Sequence, residues 1–269
     1  MSTTEPTPQP TTDPRAGYVD LDGVPTWVER SGPQDGTPVV LLHGGMLDSR
    51  TFATNLARLR EQHPVVTADR RGHGRTPDAP GPISYDLMAR DTVTLLETVC
   101  RTPVHLVGFS DGAVVALLVA LRRPDLVHDL VLVSGVFARE GWLVAPDPDA
   151  PTDVPQVLVD AYAEVSPDGR DHFGVVAAKL AQMSSEDLGV TPADLSRLTC
   201  RTLVVSADDD IVPLEHTLEL YRSLPDGDLA VVPHTSHALL TERPDLLLQL
   251  VREFLAGPPA PTTIPVRRA

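Results

Sequence analysis

A serine lies between glycines at Gly108-Phe109-Ser110-Asp111-Gly112, directly after the apolar run Val104-His105-Leu106-Val107. A small-residue, apolar helical pattern follows from Gly112. Strand, G-x-S-x-G and helix together form the setting of a nucleophile elbow, where a turn too sharp for bulky neighbours presents the serine Oγ above the sheet. A serine hydroxyl is a weak nucleophile without a base, and the base needs an acid to orient it. The acid is expected after a later strand, and Leu203-Val204-Val205-Ser206 runs into Ala207-Asp208-Asp209-Asp210. Side chains alternate along an extended segment, so one or two of these three carboxylates face inward. The base is expected last, and Val231-Val232-Pro233 leads into two candidates, His234 and His237. Such a set performs acyl transfer with neither metal nor nucleotide, and no cofactor is expected.

The elements that must position these groups alternate along the chain. Strands are expected at Tyr18–Leu21, Thr26–Arg30, Val39–His43, Val65–Asp69, Val104–Phe109, Leu130–Ser134, Leu203–Ser206 and Leu229–Val232. Helical patterns fall at Arg50–Glu61, Tyr85–Cys100, Gly112–Arg122, Leu214–Leu224 and Pro244–Leu255. Continuous apolar runs such as Val39-Val40-Leu41-Leu42 suit strands covered on both faces, and strand–helix alternation implies a doubly wound, mostly parallel sheet. The first two strands meet near Asp22-Gly23, a hairpin signal, and so form an antiparallel edge. Residues 137–197 lack a convincing strand but carry helical patterns at Val157–Glu164 and Val175–Met183, which suggests a small helical cap. The core is then 16–136 and 198–256, with Thr/Pro-rich tails at 1–15 and 257–269 expected to be disordered.

Composition narrows the partners. The 269 residues carry a formal charge of −15, a surface that repels phosphate backbones and anionic lipid. Nucleic-acid and membrane binding are therefore not expected, and the partner is a small-molecule substrate. No apolar run reaches the ~20 residues of a spanning helix, and no secretory signal is read. Cys100 and Cys200 lack metal-binding spacing; a disulfide between them is the alternative to the favoured reading, reduced thiols of a cytoplasmic protein. A dinucleotide fold fails because Gly72-His73-Gly74 is followed by Pro77 where the third glycine belongs.

Four motifs stand in order: His43-Gly44-Gly45, Asp69-Arg70-Arg71-Gly72-His73-Gly74-Arg75-Thr76, the serine elbow, and the acid and histidine loops. With them the chain resembles the α/β-hydrolase superfamily from its first strand to about Ala256, in the serine-nucleophile branch of valacyclovir-hydrolase-like and other small-ester hydrolases. The resemblance implies that the acid lies four residues before Pro213, at Asp209. It implies that the base is His237, ahead of Glu242-Arg243-Pro244, with His234 standing where glycine is more common. It further implies an oxyanion hole from the backbone N–H of Asp111 with that of Gly45 or Met46, and a structural role for His43.

The expected function is hydrolysis of a small carboxylic ester through an acyl-enzyme on Ser110, with His237 as base and Asp209 as its orienting acid. Lactonase, carbon–carbon bond hydrolase and perhydrolase chemistry are alternatives on the same triad, and a non-catalytic small-molecule binder is a further one. The serine argues against the dehalogenase and epoxide hydrolase branches, which need aspartate at position 110. Asp111 either holds a substrate amine or acts as a helix N-terminal acid. Trp142, His172 and Phe173 are candidates to line the pocket, or else pack the cap.

Overall fold

The computed structural model describes residues 15–143, 154–259 and 262–264. The expected N-terminal tail lies outside these residues except for Arg15, as do 144–153 of the expected cap and most of the last ten residues.

Eight strands form one sheet: β1 (Arg15–Leu21), β2 (Val24–Ser31), β3 (Val39–Leu42), β4 (Val65–Ala68), β5 (Val104–Phe109), β6 (Val127–Val133), β7 (Arg201–Asp209) and β8 (Gly227–Ser236). Their order is β1-β2-β4-β3-β5-β6-β7-β8. β1 and β2 form the antiparallel edge hairpin, β2 also runs antiparallel to β4, and the remaining pairings are parallel. The hairpin turns at Asp22 and Gly23, both with positive φ (53° and 87°), as a two-residue turn demands.

The helices are α1 (Tyr85–Leu95), α2 (Asp111–Arg122), α3 (Gln156–Val165), α4 (Phe173–Ser185), α5 (Pro192–Leu195), α6 (Leu214–Ser223), α7 (Leu239–Glu242) and α8 (Pro244–Leu255). Two apolar layers result. Leu106, Leu130 and Val204 pack with α1, α2 and α4 on one face. Leu41, Val107 and Val205 pack with Phe52, Leu56 and α8 on the other. Burial on both faces is why these strands read as unbroken apolar runs.

The expected helix over Arg50–Glu61 is instead two short 3₁₀ segments, Ser49–Phe52 and Leu56–Glu61. Asn55 separates them: its side chain accepts from the N–H of Leu56, capping a second start where one helix would continue. The helix over Tyr85–Cys100 likewise leaves α geometry after Leu95, widens to a π turn over Leu96–Cys100 and stops at left-handed Arg101. Between β6 and β7 the described residues contain no strand and hold α3, α4 and α5. Cys100 and Cys200 are both free thiols, and burial pushes each up to about 11. Among the described residues no helix is long and apolar enough to cross a membrane.

Candidate active site

Ser110 follows β5 directly and opens α2, with φ 55° and ψ −124°. That left-handed backbone is costly for any residue but glycine, by about 1–3 kcal/mol. The turn closes this tightly because Gly108 and Gly112, two residues to either side, have no side chains. A β-carbon at Gly108 would collide with the backbone of Gly112, and one at Gly112 with the carbonyls of Leu42 and His43. The G-x-S-x-G spacing is therefore a packing requirement of strand on helix.

His237 stands just past β8, and its Nε2 lies 2.9 Å from Ser110 Oγ. Its Nδ1 lies 2.7 Å from Oδ1 of Asp210. The side chain of Asp210 is fully buried, whereas Asp208 and Asp209 are exposed. The expectation for Asp209 is thus corrected: the carboxylate on the histidine belongs to its neighbour. The cause is the length of β7, which continues to Asp209, where a bulge carries it opposite Ser236 of β8. Asp208 is occupied outside, accepting from the N–H of Thr235 at 3.0 Å. The chain turns inward only at Asp210, three residues before Pro213.

Asp210 has partners besides the imidazole. Ser134, immediately after β6, donates its hydroxyl to Asp210 Oδ2 at 2.6 Å, and the N–H of Val212 reaches Oδ1 at 3.3 Å. Burial alone would raise this carboxyl, but the bonds from His237 and Ser134 outweigh it and hold it below the usual carboxylate range. It stays ionised and aimed at Nδ1, which leaves Nε2 to face the serine.

The loop after β3 supplies the opposite wall. Met46 adopts φ 58°. Among the described residues no backbone acceptor takes the N–H of Met46 or of Asp111. Both residues line a cavity of about 150 Å³ with Gly45, Ser110, Trp142, Leu180, Ser184 and Ile211. A β-carbon at Gly45 would collide with Asp111 Oδ2, so a larger residue there requires that carboxylate or the loop to shift. The other Asp111 oxygen accepts from Tyr85 Oη at 2.5 Å. A larger hollow of about 220 Å³ beside Arg15, Arg30 and Cys100 holds no nucleophile with a base. The smaller cavity, which contains Ser110, is the candidate site.

His43 anchors that loop from below. Its Nε2 accepts the backbone N–H of Arg70 at 3.0 Å, so Nδ1 carries the proton and donates to Gly44 O at 2.7 Å. Burial holds this imidazole well below its usual range, so it is neutral. Asp69, also buried, accepts the N–H groups of Ser49 and Arg75, both at 2.9 Å. The Asp69–Thr76 motif is therefore a brace for the loop after β3.

With this geometry in view, comparison with known proteins is decisive at the family level. A model described as "Alpha/beta hydrolase family" matches residues 39–250. The chain belongs to that family. It is 30% identical over 257 residues to "Putative carbamate hydrolase RutD" of Caulobacter segnis, covering 84% of this chain and 94% of that protein. It is 32% identical to the protein of the same name in Variovorax paradoxus, covering 88% and 98%. To "sn-1-specific diacylglycerol lipase ABHD11" of Mus musculus it is 28% identical, covering 81% and 80%. Among solved structures, a 2-hydroxy-6-oxo-6-phenylhexa-2,4-dienoate hydrolase from Rhodococcus sp. strain RHA1 superposes with TM-score 0.77 at 21% identity, over 92% of this chain and all of that one. An enol-lactonase from Burkholderia xenovorans LB400 gives 0.74 at 20% identity, over 89% and 100%. These two likenesses establish the α/β-hydrolase fold, and the family identifies the chain as a hydrolase.

Other pocket expectations for this hydrolase divide. Trp142 lines the cavity, its ring 6.3 Å from that of His237. His172 does not: its Nε2 lies 2.9 Å from Asp78 Oδ2. Phe173 is buried against Tyr162, 5.3 Å between rings, and belongs to the core. Both sit at the start of α4, whose later turns, at Leu180 and Ser184, are the ones that reach the cavity. His234 is exposed with φ 57°, which explains why glycine is commoner at that position. Sequence reasoning missed Ser134 and Tyr85. Ser134 carried a faint signal, a polar residue ending an apolar strand, whereas Tyr85 lies 26 residues from Asp111 and carried none. Among the described residues, the one His/Asp group close enough to share a metal ion is His105, His128 and Asp129, at the amino ends of β5 and β6.

Proposed function

We propose that this hydrolase cleaves small carboxylic esters, uncharged or bearing an amine, through an acyl-enzyme on Ser110. The observation that carries this reading is the linear relay from Asp210 through His237 to Ser110, 2.7 Å and 2.9 Å, opening into the cavity. His237 Nε2 takes the serine proton as Oγ attacks the carbonyl carbon. The N–H groups of Met46 and Asp111 receive the developing oxyanion. His237 then protonates the leaving alcohol, activates water against the acyl-enzyme, and returns the proton to Ser110 as the acid departs. Asp210 holds the tautomer and stabilises the imidazolium.

Charge and size select the substrate class. Among the described residues, Asp111 is the one charged side chain lining the cavity, and no Lys or Arg lines it. A dienoate, such as the RHA1 enzyme's name describes, would bring a second carboxylate beside Asp111. Net charge of −15 adds to that repulsion. Carbamates are the second reading, supported by the naming of relatives that match most of this chain, and the same relay serves them. We take the helices between β6 and β7 as the cap over this pocket. Two free thiols suit a reducing compartment such as the cytoplasm.

The test is turnover of p-nitrophenyl acetate, an amino-acid p-nitrophenyl ester, a p-nitrophenyl ester bearing a carboxylate and an aryl carbamate, with chelator present, by wild type and Ser110→Ala. Expected is turnover of the neutral and amino esters that vanishes in the variant, with the anionic ester slowest. An inert protein that a fluorophosphonate still labels at Ser110 would refute the substrate class but keep the nucleophile. One that is inert and unlabelled would overturn the reading.

A further inference from the structure

At the amino ends of β5 and β6, away from Ser110, two histidines converge on one buried carboxylate. His105 Nδ1 lies 2.9 Å and His128 Nδ1 3.0 Å from the same oxygen, Asp129 Oδ2. A strand irregularity brings them together. Val104 of β5 pairs with Val127 of β6 but His105 pairs with Asp129, so His128 is an extra residue in a bulge. Successive strand residues ordinarily point to opposite faces, and the bulge lets both 128 and 129 face His105.

The two nitrogens are not equivalent. His128 forms a hydrogen bond to Asp129 Oδ2. The N–H direction of His105 misses that oxygen despite the short distance, so its Nδ1, in a ring 94% buried, has no hydrogen-bond partner. A desolvated nitrogen without a partner is a standing cost, and a cation set between the three donors removes it. The other carboxylate oxygen, Oδ1, faces Arg201 Nη1 at 3.9 Å, which leaves Oδ2 for the imidazoles. His128 is 60% exposed, so one side of the cluster is open to water.

We propose that His105 Nδ1, His128 Nδ1 and Asp129 Oδ2 form a binding site for a borderline-soft divalent cation, zinc above all. Two imidazoles and one carboxylate with an open solvent position are a donor set for zinc or cobalt rather than for calcium or magnesium. The donor atoms lie within 4.8 Å of one another, so small rotations of His128 close them on a single ion. His105 stands five residues before Ser110 on β5, roughly 17 Å along the strand. The ion therefore ties the start of β5 to that of β6 and takes no part in acyl transfer.

The experiment is titration of untagged protein with Co²⁺, read by visible absorption, and with Zn²⁺, read by calorimetry. Wild type, His128→Ala, His128→Gln and the distant control His172→Ala are compared. Expected is one ion per chain for wild type and His172→Ala, a cobalt d–d band, and affinity at least about tenfold weaker in both His128 variants. Ester hydrolysis by the His128 variants should match wild type. Absence of stoichiometric binding, or binding that survives both His128 changes, would overturn the proposal and leave the cluster an ion pair only.

Discussion

Ser134 and Asp210 meet at 2.6 Å, hydroxyl to carboxylate, across the ends of neighbouring parallel strands. The contact fixes the one carboxylate that touches the histidine and is made by a residue with φ 50°. Ser134→Ala should lower kcat by about ten- to a hundredfold, the 1.5–3 kcal/mol of a bond to a charged group. KM should move little, because Ser134 is buried and does not line the cavity. Steady-state kinetics on the best ester decide it; an unchanged kcat would mean that the other bonds to Asp210 suffice.

Adjacent aspartates provide an internal control. Asp210→Asn should cost three to four orders of magnitude in kcat, roughly the penalty of a misassigned tautomer in such triads. Asp209→Asn, at an exposed position, should stay within about twofold of wild type. Reversed results would return the acid to the position four residues before Pro213.

Gly45→Ala places a methyl against Asp111 Oδ2. Tyr85 holds the Asp111 carboxylate in place, so the loop after β3 withdraws and carries the Met46 N–H away from the oxyanion. A loss of 10²- to 10³-fold in kcat is expected, the scale for one donor. Circular dichroism and Tm should remain near wild type. Full activity would show that the donors lie elsewhere.

Asp78 ties the loop after β4 to α4. Its Oδ2 lies 2.6 Å from Lys179 Nζ and 2.9 Å from His172 Nε2. Burial pushes this carboxyl up, yet the bonds from Lys179 and His172 hold it below the usual range. Asp78→Ala leaves the largely buried Lys179 ammonium only the carbonyl of Ala79, at 2.9 Å, and should destabilise by about 1–3 kcal/mol. Hydrogen exchange in α4 should quicken while that in β5 and β6 does not. Uniform quickening would show that α4 does not open separately.

Acid sensitivity should begin near neutrality. Burial holds His73 down to about 3 and His43 well below 6.5. The unfolded chain binds these protons first as pH falls, so their contribution is complete above about 6.5 and lost below it. Each imidazole adds a slope of about 1.4 kcal/mol per pH unit. Denaturant unfolding between pH 7.5 and 4.5 should show that decline, and His73→Phe should flatten it by one proton. A flat wild-type profile would contradict neutral burial.

The elbow, the histidine and the sheet were legible because each has a local cause. Glycines at 108 and 112 are demanded by backbone contact, and burial on both faces shows as apolar runs. The acid was not legible to the residue, because the outcome depended on how far β7 continues and on a bulge against β8, a matter of strand pairing. Whether His172 and Phe173 line the pocket or pack the cap stayed open for a similar reason. Helical periodicity gave the helix but not which of its turns faces the cavity. The meeting of His105 with Asp129 is a property of register and is invisible along a chain that separates them by 24 positions.

Met46, Ser110, Ser134 and His234 are four of the six non-glycine residues with positive φ among those described, and all lie at or beyond the carboxyl ends of strands around the nucleophile. Catalytic competence and thermal robustness therefore draw on the same few backbone positions. A screen for heat resistance alone would favour glycine at each, and at Ser110 and Ser134 it would trade turnover for melting temperature. At His234, exposed and outside the relay, the exchange is free. His234→Gly is where an engineer should begin, and the sites of Ser110 and Ser134 are where selection must keep activity in view.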